Sequence, residues 1–320
     1  MKNLFLLLIC FVLTFQVGYA QGEIKTPMEK TVETASKFAP TEKENSLLWK
    51  ISGKELKEDS YLYGTIHMIG KDDFFLTDET KVAFKTVKKV TFEINMEDMN
   101  DISMLFTLMS KVMMDNGTTL KDLVNDEDYT LINNHFKDLG LPMFMLEKIK
   151  PMFLSVMASS DMTGGGFQNG DIKSYEMEFM NMAKSSEKEM DGLETIEFQM
   201  SVFDSIPYKD QANMLVDAIK SGGEEDDTFK EMVEMYKKQD ILAMQTMFAE
   251  DTEGVAKFED IFLKNRNENW IPIMEKMSAA QATFFAVGAG HLGGENGVVA
   301  LMRQAGYEMT PIFSKTEPRP

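Results

Sequence analysis

The chain has 320 residues, 43% of them hydrophobic, which suits one or two domains with a sizeable core. One cysteine, Cys10, and three histidines, His67, His135 and His291, argue against cysteine-rich zinc sites, iron–sulfur clusters, disulfide frameworks and thiol catalysis. A net charge of −19, from 33 basic and 52 acidic residues, argues against a nucleic-acid binder, because phosphate contacts need a basic face.

Residues 1–20 read as a secretory signal peptide. Lys2 is the positive start, Leu4 to Phe15 is apolar, and Gly18-Tyr19-Ala20 offers small residues for cleavage. The apolar run is shorter than the ~20 residues of a membrane-spanning helix. The expectation is a cleaved leader and an exported protein, periplasmic or secreted, with no membrane span in its mature form. Ile9 before Cys10 lacks the small residue of a lipoprotein site, and cleavage would remove the single Cys. Gln21 to Ser46 is polar and reads as a flexible tether.

The folded body is expected over 47–315, with a disordered tail at 316–320. Leu47 to Ser52, Ser60 to Met68, Lys89 to Met96, Ala282 to Val287 and Tyr307 to Phe313 have strand character. Apolar residues at three- and four-residue spacing predict helices over Asp101 to Met114, Asp126 to Leu139 and Ile172 to Lys184. The same spacing recurs in Tyr208 to Ser221, Asp227 to Phe248 and Gly254 to Met277. Met162 to Gly170 and Gly222 to Asp227 read as glycine-rich loops, the second with a solvated charge run. A short helix, Val298 to Gln304, is expected to stop at Gly306. Strands at both ends of the body can close one sheet only if the ends meet. The expected fold class is α/β: a mixed central sheet formed by N- and C-terminal strands, flanked by helices, with a large mostly helical middle segment.

Two histidines share a local design. Gly64-Thr65-Ile66-His67 and Gly288-Ala289-Gly290-His291 each end a hydrophobic strand, the edge where open α/β sheets place ligands. A satisfied structural histidine explains either one alone; the recurrence favours function. Glu93 interrupts the apolar strand Val90 to Ile94. On a central strand it must be paired or ligated, and on an edge strand it can be exposed. Two His and one Glu suit a divalent cation such as Zn²⁺, Mn²⁺ or Co²⁺, which would turn bound water into a nucleophile. There is no HExxH helix. His135 reads as a surface residue of a polar helix, and Glu295 as an acid in the first turn of the last helix. The 28 methionines include Met232/Met235, Met244/Met247 and Met109/Met113 at helical spacing, a pattern of adaptable packing rather than of a copper store.

The motifs taken together resemble the TraB/GumN family, which includes Tiki-type metal-dependent proteases. LLWKISG…SYLYGTIHM is similar to the family's first motif and KKVTFEIN to its glutamate strand. Tyr175-Glu176-x-x-Phe179, Gly192-Leu193-Glu194-Thr195…Gln199, Arg266-Asn267-x-x-Trp270 and VGAGHLGGENGVVALMRQAGY resemble later family motifs, in order. Ser174 and Phe179 depart from the family's Gly and Leu. The resemblance implies a metal held by His67, Glu93 and His291. With it, Glu176 or Glu194 is expected as orienting partner or general base, and Arg266 as a group for a substrate carbonyl or carboxylate. For Arg266 the alternative is a helix-surface ion pair. The expected activity is a metal-dependent hydrolase, a peptidase acting on an extracytoplasmic peptide or protein. The rival is a non-catalytic exported binder of a peptide or small ligand in the same cleft.

Overall fold

The structure is a computed structural model that describes residues 37–97, 108–158, 171–221, 224–250 and 258–314. Residues 1–20, expected as a signal peptide, most of the expected tether, residues 162–170, expected as a glycine-rich loop, the Gly222-Gly223 pair and the expected tail at 316–320 lie outside the described residues.

In chain order the first elements are β1 (Leu48–Ser52), β2 (Ser60–Thr65), β3 (Ile69–Gly70), α1 (Asp78–Thr86) and β4 (Lys89–Ile94). The middle holds α2 (Leu120–Leu123), α3 (Asp126–Asp138), α4 (Met143–Leu146), α5 (Pro151–Ala158), β5 (Ile172–Lys173), α6 (Tyr175–Ser185) and β6 (Glu189–Glu194). Then come α7 (Ile196–Asp204), α8 (Tyr208–Ser221), α9 (Glu224–Lys237), α10 (Ile241–Glu250), α11 (Asn265–Ala280), β7 (Thr283–Gly288), α12 (Val298–Gln304) and β8 (Glu308–Pro311). The fold is mixed α/β, a six-stranded mixed sheet with flanking helices and a mostly helical middle.

The chain divides into two compact units. The described part of the first comes from Ile66–Phe74 and Val90–Lys230. The described part of the second comes from the chain up to Thr65, from Phe75–Lys89 and from Glu231 onward.

The second unit contributes strands in the order β7-β2-β1-β8. β1 is antiparallel to β2 and to β8, whereas β2 and β7 run parallel with Thr65 opposite Gly288. Both Gly-x-x-His strands therefore end at the same edge. β7 is buried from Thr283 to Val287, which explains its apolar run from Phe284 to Val287, since a strand covered on both faces has no solvent-facing side. Phe84 of α1 meets Phe284 edge-on at 5.3 Å between ring centroids. Gly64 is required by close approach: a Cβ there would lie 3.0 Å from Leu292 Cδ2 and 3.1 Å from the Ala289 Cα. The expected end of α12 is present, with Gly306 at φ +96° just past it. Arg303 on α12 bonds Glu44 Oε1 at 2.6 Å and the carbonyl of Phe38 at 3.2 Å, which ties the start of the described chain to this unit.

The first unit is mainly helical. Leu120, Ile132, Phe136, Met143, Leu146, Leu154, Ala212 and Leu215 form one buried cluster, supplied by α2 to α5 and α8. β4 and β6 are neighbouring strands in this unit. Gly192 on β6 sits so close to β4 that a Cβ would fall 2.4 Å from the Asn95 nitrogen.

Several sequence expectations are corrected. The helix expected over 172–184 begins at Tyr175, because Ile172 and Lys173 pair with β3 and Ser174 caps the helix. The helix expected over 227–248 is two, α9 and α10. Gln239 takes a left-handed φ of +57°, and the Asp240 carboxylate accepts from the Ala243 N–H to open α10. Glu224 to Asp227 belong to α9 and are not loop. Within 254–277 a π-helical turn, Asp260–Lys264, precedes α11. Residues 108–112 of the first expected helix are helical, and the rest before them lies outside the described residues. β6 was not expected, since EMDGLE carries no β-branched residue. Glu295 precedes the Gly297 N-cap and is not in the helix's first turn. His135 is half-buried and its Nε2–H donates to the Ala158 carbonyl at 2.7 Å, closing the end of α5.

Candidate metal and catalytic site

The first unit holds His67, Glu93, Glu176 and Glu194. His67 follows β2 by two residues and is buried. The β3–β5 ladder sets the chain after His67 beside the chain before Ser174, with Ile69 opposite Lys173. The Lys71 N–H to Asp171 carbonyl bond, 2.8 Å, and the Phe74 ring 4.6 Å from that of Tyr175 extend the same seam. At its end, His67 Nδ1 lies 2.9 Å from Glu176 Oε1. Glu176 is buried in the first turn of α6. Ser174, the N-cap, accepts from the Met177 N–H and donates its hydroxyl to Glu176 Oε2 at 2.9 Å. Both Glu176 oxygens are thus held. An ionised carboxylate only accepts, so the proton of the pair belongs on Nδ1 and the imidazole lone pair on Nε2. That pairing orients metal-binding histidines and raises their basicity.

Glu93 is buried, as a central position requires, and not exposed as on an edge. Its Oε2 accepts from Gln199 Nε2 at 3.2 Å, and the same amide donates to Glu194 Oε1 at 3.1 Å. Gln199 therefore holds two carboxylates side by side. Thr195, the N-cap of α7, starts the helix that brings Gln199 back over Glu194.

The second unit holds His291 and Arg266. A short 3-10 turn, Ala289–His291, follows β7 and buries the imidazole. Its Nδ1 is 2.6 Å from Asn267 Oδ1, and Asn267 Nδ2 donates to the Asn296 carbonyl at 2.8 Å. Its Nε2 is 3.2 Å from Arg266 Nη1. Arginine only donates, so Nε2 accepts and Nδ1–H donates to Asn267. Arg266 is fully buried, which corrects the surface-ion-pair alternative. The same Nη1 donates to the Phe262 carbonyl at 3.1 Å, and the guanidinium lies 4.9 Å from the Trp270 ring centroid. Trp270 also lies 4.5 Å, centroid to centroid, from the His291 ring.

Among the described residues, no group of three or more His, Cys, Asp or Glu side chains stands ready to hold a metal ion. The structure pairs His67 with Glu176, Glu93 with Glu194 through Gln199, and His291 with Arg266. The donor chemistry still fits a divalent cation: both imidazoles are fixed through Nδ1, which puts the lone pair on Nε2, and Glu93 is a buried carboxylate. Ser174, Gln199 and Asn267 were given no role from sequence. Gln199 and Asn267 lie inside the quoted motifs, which is the signal that points to them.

The residues that form these pairs all fall within 47–311, the span matched by the model of the TraB/PrgY/gumN family. The chain belongs to this family. Among similar proteins, Metalloprotease TIKI1 of Danio rerio is 23% identical over 321 residues, covering 83% of this chain and 63% of that protein. Metalloprotease TIKI1 of Homo sapiens is 22% identical, with 83% and 61% covered. A Metalloprotease TIKI homolog of Nematostella vectensis is 27% identical over 173 residues, 54% of this chain and 32% of that protein. The chain spans a little under two thirds of the length of the TIKI1 relatives. No solved structure is significantly similar to it. Among the described residues no helix is long and apolar enough to cross a membrane.

Proposed function

We propose that this TraB/PrgY/gumN family member is an exported, divalent-cation-dependent peptidase, periplasmic or secreted, that cleaves an extracytoplasmic peptide or protein. His67, Glu93 and His291 supply the cation's ligands, with Mn²⁺, Co²⁺ or Zn²⁺ as candidates. The observation that carries the reading is the buried His67–Glu176 pair, whose second carboxylate oxygen is taken by Ser174. Its likeness to metalloproteases supports the reaction class. A cation held by these residues would supply the acidity that turns a bound water into a nucleophile. Glu176 fixes the ring of His67. Glu194, half-buried and tethered by Gln199, takes the proton of the attacking water and returns it to the leaving amine. Arg266 binds a substrate carbonyl or carboxylate oxygen. The net charge of −19 favours neutral or basic peptides over acidic ones.

The test is proteolysis of a peptide library by the mature protein supplemented with Mn²⁺, Co²⁺ or Zn²⁺, against His67→Ala/His291→Ala. Cation-dependent cleavage lost in the variant supports the peptidase. Tight binding of library peptides with no cleavage under any of the three cations overturns it in favour of a non-catalytic peptide binder.

A further inference from the structure

Resting on the cation reading above, we propose that Arg266 and a divalent cation compete for one lone pair, that of His291 Nε2, so that a cation binds His291 only as the guanidinium leaves it. The Nδ1–H of His291 is committed to Asn267 Oδ1 at 2.6 Å, so Nε2 is the ring's acceptor nitrogen. Arg266 Nη1 holds that nitrogen at 3.2 Å. An imidazole nitrogen has a single in-plane lone pair, and it serves one partner at a time. Arginine does not give up its charge in a protein, so the guanidinium cannot yield by deprotonating. It must move, and a divalent cation at Nε2 also repels it.

Two contacts of Arg266 do not depend on His291. Arg266 keeps the Phe262 carbonyl, 3.1 Å from Nη1, and the face of Trp270 while it releases His291. The Phe262 carbonyl belongs to the π-helical turn Asp260–Lys264, an irregular turn of a kind frequent at functional sites. The imidazole does not have to move. Asn267 holds it from Nδ1, and the Asn267 amide is itself anchored on the Asn296 carbonyl at 2.8 Å. Arg266 is thus a positioning residue for the cation: in its absence it occupies the ligand nitrogen and keeps the ring in the binding tautomer.

The test measures Zn²⁺ and Co²⁺ affinity by chelator competition on the mature protein, comparing wild type with Arg266→Gln, Arg266→Lys and His291→Ala. Arg266→Gln is expected to bind the cation about tenfold more tightly, in the range of ordinary site-to-site coupling. Arg266→Lys is expected to lie between it and the wild type, and His291→Ala to bind more weakly than the wild type. An unchanged affinity in His291→Ala removes His291 from the cation site and overturns the cation reading. A weakened His291→Ala with unchanged or weaker Arg266→Gln overturns the competition and leaves the cation reading standing. A wild-type measurement covers variants that do not fold. On Zn²⁺ addition the ¹⁵N resonances of His291 Nε2 and of the Arg266 guanidinium should shift together. A shift at His291 with Arg266 unmoved overturns the competition.

Discussion

The two Gly-x-x-His segments look alike in sequence and differ in their settings. His67, in the first unit, leans on a carboxylate whose other oxygen is taken by a serine hydroxyl. His291, in the second, leans on a carboxamide and faces a buried guanidinium. In both, Nδ1 is the anchored nitrogen, and it is Nε2 that the proposed function uses as a ligand. A carboxylate partner strengthens an imidazole as a ligand, so in the proposed cation site His67 would be the stronger of the two. The carboxamide fixes orientation without adding charge, and the arginine places a positive group where a cation would go. The same sequence motif thus sits in two settings: under the proposed competition His67 would be the strong ligand and His291 the one that a cation must win.

That contrast can be broken experimentally. Glu176→Gln gives His67 a neutral partner like that of His291. It is expected to cost roughly 10–100-fold in cation affinity, as loss of a ligand's orienting group does, measured by chelator competition. Asn267→Ala removes the orientation of His291 without changing charge. A smaller loss is expected, about tenfold, the low end of the same range, because the imidazole keeps its nitrogen and loses only its registration. An Asn267→Ala loss larger than that of Glu176→Gln would reverse the ranking of the two motifs. Ser174→Ala removes the α6 cap and one of the two holds on Glu176. It should lower stability by about 1 kcal/mol in denaturant melts, with a smaller loss of cation affinity than Glu176→Gln.

The smallest effect is expected away from both imidazoles. Burial raises the Glu44 carboxyl, but its bonds to Arg303 and Thr41 together outweigh that and leave it below the ordinary carboxylate value. A carboxyl depressed in the folded state stabilises above its unfolded pKa, and the benefit is lost as pH falls through the folded value. Arg303→Met should therefore cost about 1 kcal/mol at neutral pH, a gap that closes as the solution is acidified below the carboxylate range. Cation affinity should not change, which separates a general loss of stability in this unit from the specific behaviour of His291.

Much of this was legible from sequence where burial writes an unambiguous pattern. β7 is apolar from Phe284 to Val287 because those residues are all buried, and α12 with Gly306 carried its own stop signal. β6 was illegible because its place depends on Gly192 letting β4 come close, and a glycine alone does not announce a strand. The break between α9 and α10 rests on one left-handed residue, Gln239, that leaves the apolar spacing intact on both sides. At the site, His67, Glu93 and His291 stood out because polar residues interrupt or end apolar strands. Ser174, Gln199 and Asn267 did not, because each acts by holding another side chain, and a hydroxyl or amide on a helix looks the same in sequence whether it faces solvent or a carboxylate.

The proposed function stands or falls on whether the protein binds a divalent cation through His67 and through His291. Elemental analysis of the purified protein after Mn²⁺, Co²⁺ or Zn²⁺ loading and desalting tests it most directly. Retained metal is expected in the wild type, with little in His67→Ala or in His291→Ala and none in the double variant. A wild type that retains no metal after loading with any of the three, or a double variant that retains as much as the wild type, would contradict it.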